Sequence, residues 1–479
     1  MESVHLLTLS LALIVLLAVF RRRRGGMRPG HHHTTIIKVC YPAVARSMIV
    51  DHADAFSNRP VPPFPAGRPV THSIASAPYG PFWRALRCNL TADILHRSRL
   101  GVLAPIEREA AEALAGSLAA QARAAGSGGD MVLRRSLQSG VFALVARLCF
   151  GDAMDARGLA TMLRTQQEFF DSFVVVKAAE RSWLTRLLHW RRRLRYAGTF
   201  HRVNEVVMPG VLAARKRRSQ CGNNDGGGGG FRSYLDSLLE LRVPATDGDD
   251  EHSRRPLTDD EVAFLAWEFV GAGTSGVVTC LEWTLAHLAA EPEIQAKLHR
   301  EVAGDRDRKP SLASELRLPY LHAVVLESLR LHPPLPFASR AVHAADEGIA
   351  VGEAAVVPPG GAQVSFVLGA MGRDGEVWSD PDEFRPERFL DGGEGQGVGL
   401  VPGPKEIKMM PFGAGRRHCS GAAMGMAHIK CFLAELVREL EWAPPADGGG
   451  IDFTELDGFL KWMKTPLRVR ITPRTRPSE

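Results

Sequence analysis

No two cysteines in this chain are spaced CxxC, and the seven that occur are scattered: Cys40, Cys88, Cys149, Cys221, Cys280, Cys419 and Cys431. An odd, dispersed set is neither a disulfide framework nor a zinc site, and it suits a reducing compartment. A strong excess of one charge is missing too. The net charge is +6, and Arg21 to Arg24 supply four of those charges, so the remaining +2 gives no argument for a nucleic-acid partner. Internal repeats are absent. A disorder-prone composition is also excluded: hydrophobic residues make up 45% and charged residues 23% of the 479 positions, enough to bury a large core.

One long apolar run stands at the start. Val4 to Phe20 is almost unbroken and lies near the lower length limit for a spanning helix. Four arginines follow at once, which places them in the cytosol and the N-terminus in the lumen. A cleaved signal peptide is the alternative, but its charges would precede the apolar run rather than follow it. Behind the run, "GGMRPGHHHTT" is a breaker-rich hinge, while Cys221 to Gly230 and Pro244 to Pro256 read as surface loops.

Most of the remainder has helical patterning, so the expected class is mainly α with a small β portion. Thr258 and Glu261 form a capping box for a helix of more than thirty residues that Pro292 stops. Its apolar residues occupy nearly every face, so it should cross the core. A second helix starts at Pro319 and ends before Pro333 and Pro334. Extended segments are expected within Gly348 to Phe366 and Pro466 to Pro473.

A lone cysteine is usually a small core residue, but Cys419 has unusual neighbours. Gly413, Gly415 and Gly421 allow the backbone to pass close to a flat or bulky group. Arg416 and Arg417 bring fixed charge, and a helical pattern begins just past the thiol, where free N–H groups and the helix dipole favour a thiolate. Zinc would need three more ligands nearby. A haem iron needs one protein ligand on this side.

Phe412, Gly415, Arg417, Cys419 and Gly421 fit F-x-x-G-x-R-x-C-x-G. This resembles the haem-binding signature of the cytochrome P450 monooxygenases, and the flanking text resembles their plant A-type branch. "LESLR" matches the family's E-x-x-R at Glu327 and Arg330, with Arg388 of "FRPERF" as third partner in a buried ion network. "WRALR" resembles W-x-x-x-R at Trp83 and Arg87. The resemblance implies that Trp83, Arg87, Arg340 and Arg417 meet the propionates of haem b, with Cys419 the sole protein ligand to iron. It covers about Asp51 to Pro473. It further implies an NADPH-cytochrome P450 reductase, O2 and an apolar small molecule as partners, with membrane lipid around a single-pass anchor in the endoplasmic reticulum membrane. The catalytic domain would face the cytosol. The implied division is 1–24 as membrane anchor with basic stop, 25–50 as a short hinge and truncated N-terminal region, and 51–479 as haem-binding catalytic domain. Pocket candidates lie near Gly271, Phe337 and the stretch Val61 to Tyr79, and they leave fatty acids, terpenoids and phenylpropanoids open.

Two departures from the family pattern matter. Where relatives carry A-G-T-D-T-T, this chain has "AGTSGV": Ser275 replaces the acid and Gly276 the conventional threonine of the pair that delivers protons during dioxygen activation. Proton delivery needs a titratable group or an ordered water, and Thr274 and Ser275 are the hydroxyls left to order one. Three readings follow: a monooxygenase with altered proton delivery; an isomerase or dehydratase acting on a hydroperoxide; or a haem-binding protein with little activity. The second departure is a shortening after Arg24, because "TTIIKVCYPAVARSM" reads as the last strand of an expected hairpin and the helix after it. An incomplete gene model or an abbreviated channel mouth would each explain it.

A second membrane contact is expected in "RSWLTRLLHWRRRLRYAG", where Trp183, Leu184, Leu187, Leu188 and Trp190 alternate with arginines. An ordinary helix with a solvated basic face is the alternative. Deleting residues 1 to 24 separates them. The shortened protein is expected to co-float with anionic liposomes at low salt, and free protein in that assay would remove the second contact.

Overall fold

The computed structural model describes residues 36–60, 73–126, 129–179, 190–221, 232–245, 253–304, 318–342, 350–351, 355–356 and 362–474. Strand β1 (Ile36–Val39) runs into helix α1 (Pro42–Arg46), with Pro42 at its start. Pro81 opens α2 (Pro81–Asn89) in the same way, since a proline there gives up an N–H that the helix would not use. Then come α3 (Leu100–Ala125), β2 (Asp130–Val132), α4 (Arg134–Phe150), α5 (Ala156–Ala179), α6 (Trp190–Cys221) and α7 (Tyr234–Glu240). Strands β3 (Arg242–Pro244) and β4 (Arg254–Pro256) pair as a small antiparallel ribbon.

The expected capping box is formed. Thr258 accepts from the Glu261 N–H, the Glu261 carboxylate accepts from the Thr258 N–H, and α8 runs from Asp259 to Ala290. Pro292 begins α9 (Pro292–Gly304), and Pro319 begins α10 (Pro319–Leu331). Strands β5 (Phe337–Ala341), β6 (Ala350–Val351), β7 (Ala355–Val356) and β8 (Gln363–Val367) follow, with a short helix α11 (Leu368–Gly372). The chain closes with α12 (Ala422–Glu439), β9 (Leu440–Ala443) and β10 (Arg468–Pro473). The class is therefore mainly α with small sheets, as the patterning indicates.

Helix α8 is apolar and long enough to cross a membrane, but its residues are largely buried between α4, α6, α10 and α12, so it is a core helix. A second apolar cluster sits at the sheet ordered β1-β8-β5. There β1 pairs parallel to β8, with Ile36 opposite Gln363, and β5 pairs antiparallel to it. The strand and helix read from "TTIIKVCYPAVARSM" are thus present. The apolar run Val4–Phe20 and the first half of the expected second membrane contact, 181–189, lie outside the described residues, while 190–198 form the start of α6. Trp190 itself is exposed at the start of α6.

Glu327 on α10 is fully buried, and so are Arg330 and Arg388. Arg330 donates to both carboxylate oxygens, at 2.7 and 2.8 Å, and Arg388 Nε donates to Oε1 at 3.2 Å. The backbone N–H of Arg385 adds a fourth donor at 2.8 Å. The remaining guanidinium N–H groups of Arg330 end on Gly372 O, Pro381 O and Glu383 O. Arg388 reaches Asp380 O at 2.6 Å and pairs with Glu394, whose carbonyl holds Lys408 just before the cysteine loop. Gly372 leaves no room for anything larger, because a Cβ there would lie 2.1 Å from Arg330 O.

Glu327→Ala would leave two buried guanidiniums without their carboxylate, a loss of roughly 3–5 kcal/mol. The expected result is a protein purified without haem, read as the absence of a Soret band. A normal haem content in that variant would count against the network.

Candidate functional site

Cys419 sits at the end of a loop whose shape is set by two glycines. Gly413 and Gly415 have φ of 69° and 65°, in the left-handed region that favours glycine. A Cβ at Gly415 would also lie 2.4 Å from Ile49 Cγ2. The turn closes through Gly413 N–H to Met410 O at 2.8 Å, His418 N–H to Gly415 O at 3.2 Å and Cys419 N–H to Phe412 O at 2.8 Å. Helix α12 then starts three residues beyond the thiol. His418 is turned elsewhere: its Nδ1 meets Gly415 O at 2.8 Å and its Nε2 meets Arg87 at 3.0 Å.

The thiol is exposed although Ala414, Arg417 and Ala422 around it are buried. Desolvation nonetheless raises its pKa, opposed by the Gly421 N–H and by the charges of Arg59 and Arg87. Together these describe a sulfur on the wall of a recess inside the fold. Burial here works against the N–H groups that favour the thiolate, and a coordinated metal would tip the balance toward it.

Four guanidiniums converge on the same loop, and their acceptors among the described residues are backbone carbonyls and small polar groups, not carboxylates. Arg417, buried, donates to Ser57 O at 2.8 Å, Ile74 O at 3.3 Å and Ala77 O at 2.7 Å, and stacks 4.3 Å above the Trp83 ring. Arg340, also buried, donates to Ser339 O and Ala414 O. Arg87 holds His418 O at 2.7 Å and Ser420 Oγ at 3.1 Å. Arg59 holds Arg417 O at 3.1 Å and Ala75 O at 3.5 Å. Desolvation, then the charges of Arg59 and Arg417, brings Arg340 down to about 9. Desolvation, then Arg59 and Arg87, brings Arg417 down to about 10. Such crowding of like charge calls for an anion.

Haem fits this donor set. It presents two carboxylates to the arginines and needs one thiolate. Among the described residues no three His, Cys, Asp or Glu side chains gather to hold a metal unaided.

The structure redistributes the expected roles. Arg87, Arg340, Arg417, Phe412, Gly415, Cys419 and Gly421 all come together. Trp83 joins them, but its indole N–H already donates to Ile74 O at 3.0 Å, so it positions Arg417 and offers no free donor to a cofactor carboxylate. Arg59 was missed: it sits in "SNRP", where no motif marks it.

On α8, residues 268, 272, 275, 276 and 279 share an arc of roughly 100°. Ala272 on this stripe is exposed, and a Cβ built at Gly276 meets no heavy atom within 4 Å. Ser275 stands at the stripe's edge, buried. Thr274 lies roughly 160° round from Ala272. Its hydroxyl is buried without a hydrogen-bond partner among the described residues. Helical phase turns Thr274 toward the core rather than toward the stripe that carries Ala272 and Gly276. Of the pocket candidates, a Cβ built at Gly271 would lie 3.5 Å from Gln166 Nε2, Phe337 begins β5, and 61–72 lie outside the described residues.

Comparisons with known proteins agree with this geometry. The family model "Cytochrome P450" matches residues 26–469. Cytochrome P450 89A9 of Arabidopsis thaliana is 32% identical over 444 residues, spanning 91% of this chain and 83% of that protein. Cytochrome P450 78A11 of Oryza sativa subsp. japonica is 31% identical over 458 residues, spanning 92% and 77%. A solved zebra fish cytochrome P450 with progesterone superposes with a TM-score of 0.72 at 23% identity, over 94% of this chain and 96% of that one, which speaks for the fold. The resemblance to plant A-type sequences agrees with the plant relatives, and the chain belongs to the cytochrome P450 family of haem-thiolate monooxygenases.

Proposed function

We propose that this chain holds haem b through Cys419 and inserts one oxygen atom from O2 into an apolar small molecule, with electrons from NADPH supplied by a cytochrome P450 reductase. The observation that carries the reading is the pairing of an open thiol with four guanidiniums that, among the described residues, hydrogen-bond to no carboxylate. The haem iron, when bound, supplies the redox chemistry of dioxygen activation. The residues of the chain do the rest. Arg59, Arg340 and Arg417 hold the cofactor carboxylates, and Arg87 clamps the loop through His418 and Ser420. Ala272 and Gly276 leave the space in which an apolar molecule is held. Ser275, on the edge of the same arc, is the hydroxyl that keeps a water within proton-transfer reach in this reading.

Val4 to Phe20 with Arg21 to Arg24 supports a single-pass anchor in the endoplasmic reticulum membrane, with 25–50 as a short hinge and truncated N-terminal region and a cytosolic catalytic domain at 51–479. Reduced protein with carbon monoxide is expected to give the red-shifted Soret band of thiolate-bound haem. Cys419→Ala is expected to abolish it, and a retained band in that variant would overturn the ligand assignment.

A second reading keeps the haem but gives little oxidised product. It is favoured by Ser275 and Gly276, which supply no acidic side chain. Electrons from NADPH would then leave largely as hydrogen peroxide or superoxide. Restoring the pair as Ser275→Asp with Gly276→Thr is expected to raise the product-to-NADPH ratio, with an unchanged carbon monoxide spectrum as control. The free space around a Cβ at Gly276 favours its accommodation. Product from a hydroperoxide without NADPH would instead point to an isomerase or dehydratase. Tight coupling in the unchanged protein would remove these two positions as the limit on proton delivery.

A further inference from the structure

Glu268 is a carboxylate to which the proposed chemistry gives no role. It stands on the open stripe of α8, one turn before Ala272. Its Oε2 accepts from Ile74 N–H at 2.9 Å and its Oε1 from Ala75 N–H at 2.8 Å. The Ser73 hydroxyl also bonds to this carboxylate, and it meets the Ser76 hydroxyl at 2.7 Å. Both oxygens are thus taken by the 73–76 segment.

The same segment turns its carbonyls the other way. Ile74 O accepts from Trp83 Nε1 and Arg417 Nη1, Ala75 O from Arg59 Nη1, and Ala77 O from Arg417 Nη2. One face of a five-residue stretch is therefore pinned to α8, and the other face fixes two of the guanidiniums, Arg59 and Arg417, and the Trp83 indole. Two consecutive N–H donors need two acceptors at one point. A carboxylate supplies both, whereas the isosteric amide supplies one and sets an N–H2 group against a backbone donor.

We propose that Glu268 is a positioning residue: it latches segment 73–77 to α8 so that the segment's carbonyls hold Arg59, Arg417 and Trp83 at the carboxylate end of the haem. The inference rests on the haem-thiolate reading. The negative charge serves the same end, since it lies close enough to Arg59 to offset repulsion among the guanidiniums. Burial raises the Glu268 pKa against the pull of these N–H groups and of Arg59, so the latch is made at a desolvation cost.

The test uses the full chain loaded with haem, with Glu268→Gln, Arg417→Lys and the double variant. Haem transfer to excess apomyoglobin and amide hydrogen exchange over residues 73–77 are both measured well below the unfolding temperature. Glu268→Gln is expected to deprotect Ile74 and Ala75 and to speed haem loss about tenfold, the scale of one lost charge-assisted hydrogen bond. In the double variant the two effects are expected to fall short of their product, because both act through the same carbonyls. Unchanged protection and transfer, or effects that multiply in full, would overturn the latch. Unchanged transfer with a lost substrate-induced spectral shift would also overturn it, making Glu268 a substrate-recognition group. Should Glu268→Gln fail to fold, Ser73→Ala removes one hydroxyl bond and leaves the charge. It is expected to speed haem loss by a smaller factor, and no change there counts against the proposal. A wild-type chain that takes up no haem would sink the haem-thiolate reading, while amide protection in that chain would still report on the latch.

Discussion

The carboxylate of Glu327 has no access to water, and the rest of the fold is arranged around that constraint. A buried charge is tolerable only when its hydrogen-bonding capacity is met. Two guanidiniums and one backbone N–H meet it here, and the guanidiniums in turn demand carbonyls. Those carbonyls come from Gly372, Pro381, Glu383 and Asp380, so the irregular chain after α11 is bound to α10 without regular secondary structure. Through Glu394 and Lys408 the same network reaches the segment that enters the cysteine loop.

The cysteine side of the molecule poses the opposite electrostatic problem. Around Glu327 a single negative charge is saturated by donors. Around Cys419 several positive charges rest on neutral carbonyls, and two of them are held below their ordinary basicity. The chain thus carries a built-in appetite for a dianion next to a sulfur whose pKa burial raises. Cofactor carboxylates and metal relieve the two imbalances at once, which couples haem capture to the order of the loops that line the site.

Much of this was legible in the sequence. The capping box at Thr258, the stops at Pro292 and Pro333, and the glycine-framed Cys419 are local signals, and each depends on residues within a few positions of one another. Glu327, Arg330 and Arg388 were legible as a motif, which implied a buried ion network. Arg59 and Glu268 were not legible, because their partners are backbone atoms of segments distant in sequence and any residue supplies those atoms. Thr274 shows a different limit: alignment to a motif gives a position along a helix but not what that position faces, and here helical phase turns it toward the core. Trp83 shows the same limit: its place at the site was readable, but the Ile74 carbonyl that occupies its N–H was not.

The pairing of β1 with β8 joins Val39 to Phe366, and the apolar cluster around Met48, Ile49 and Phe56 is completed by Val364, Met371, Ile407 and Met410. Arg417 likewise donates to Ser57 across the whole chain. At about 5–20 residues per second, a ribosome takes roughly 15 to 65 s to extend from the first of these partners to the second. Throughout that interval the N-terminal apolar residues have been synthesised and their complement has not. The nascent chain therefore needs a chaperone, or a nearby lipid surface, to shelter them until the second half emerges.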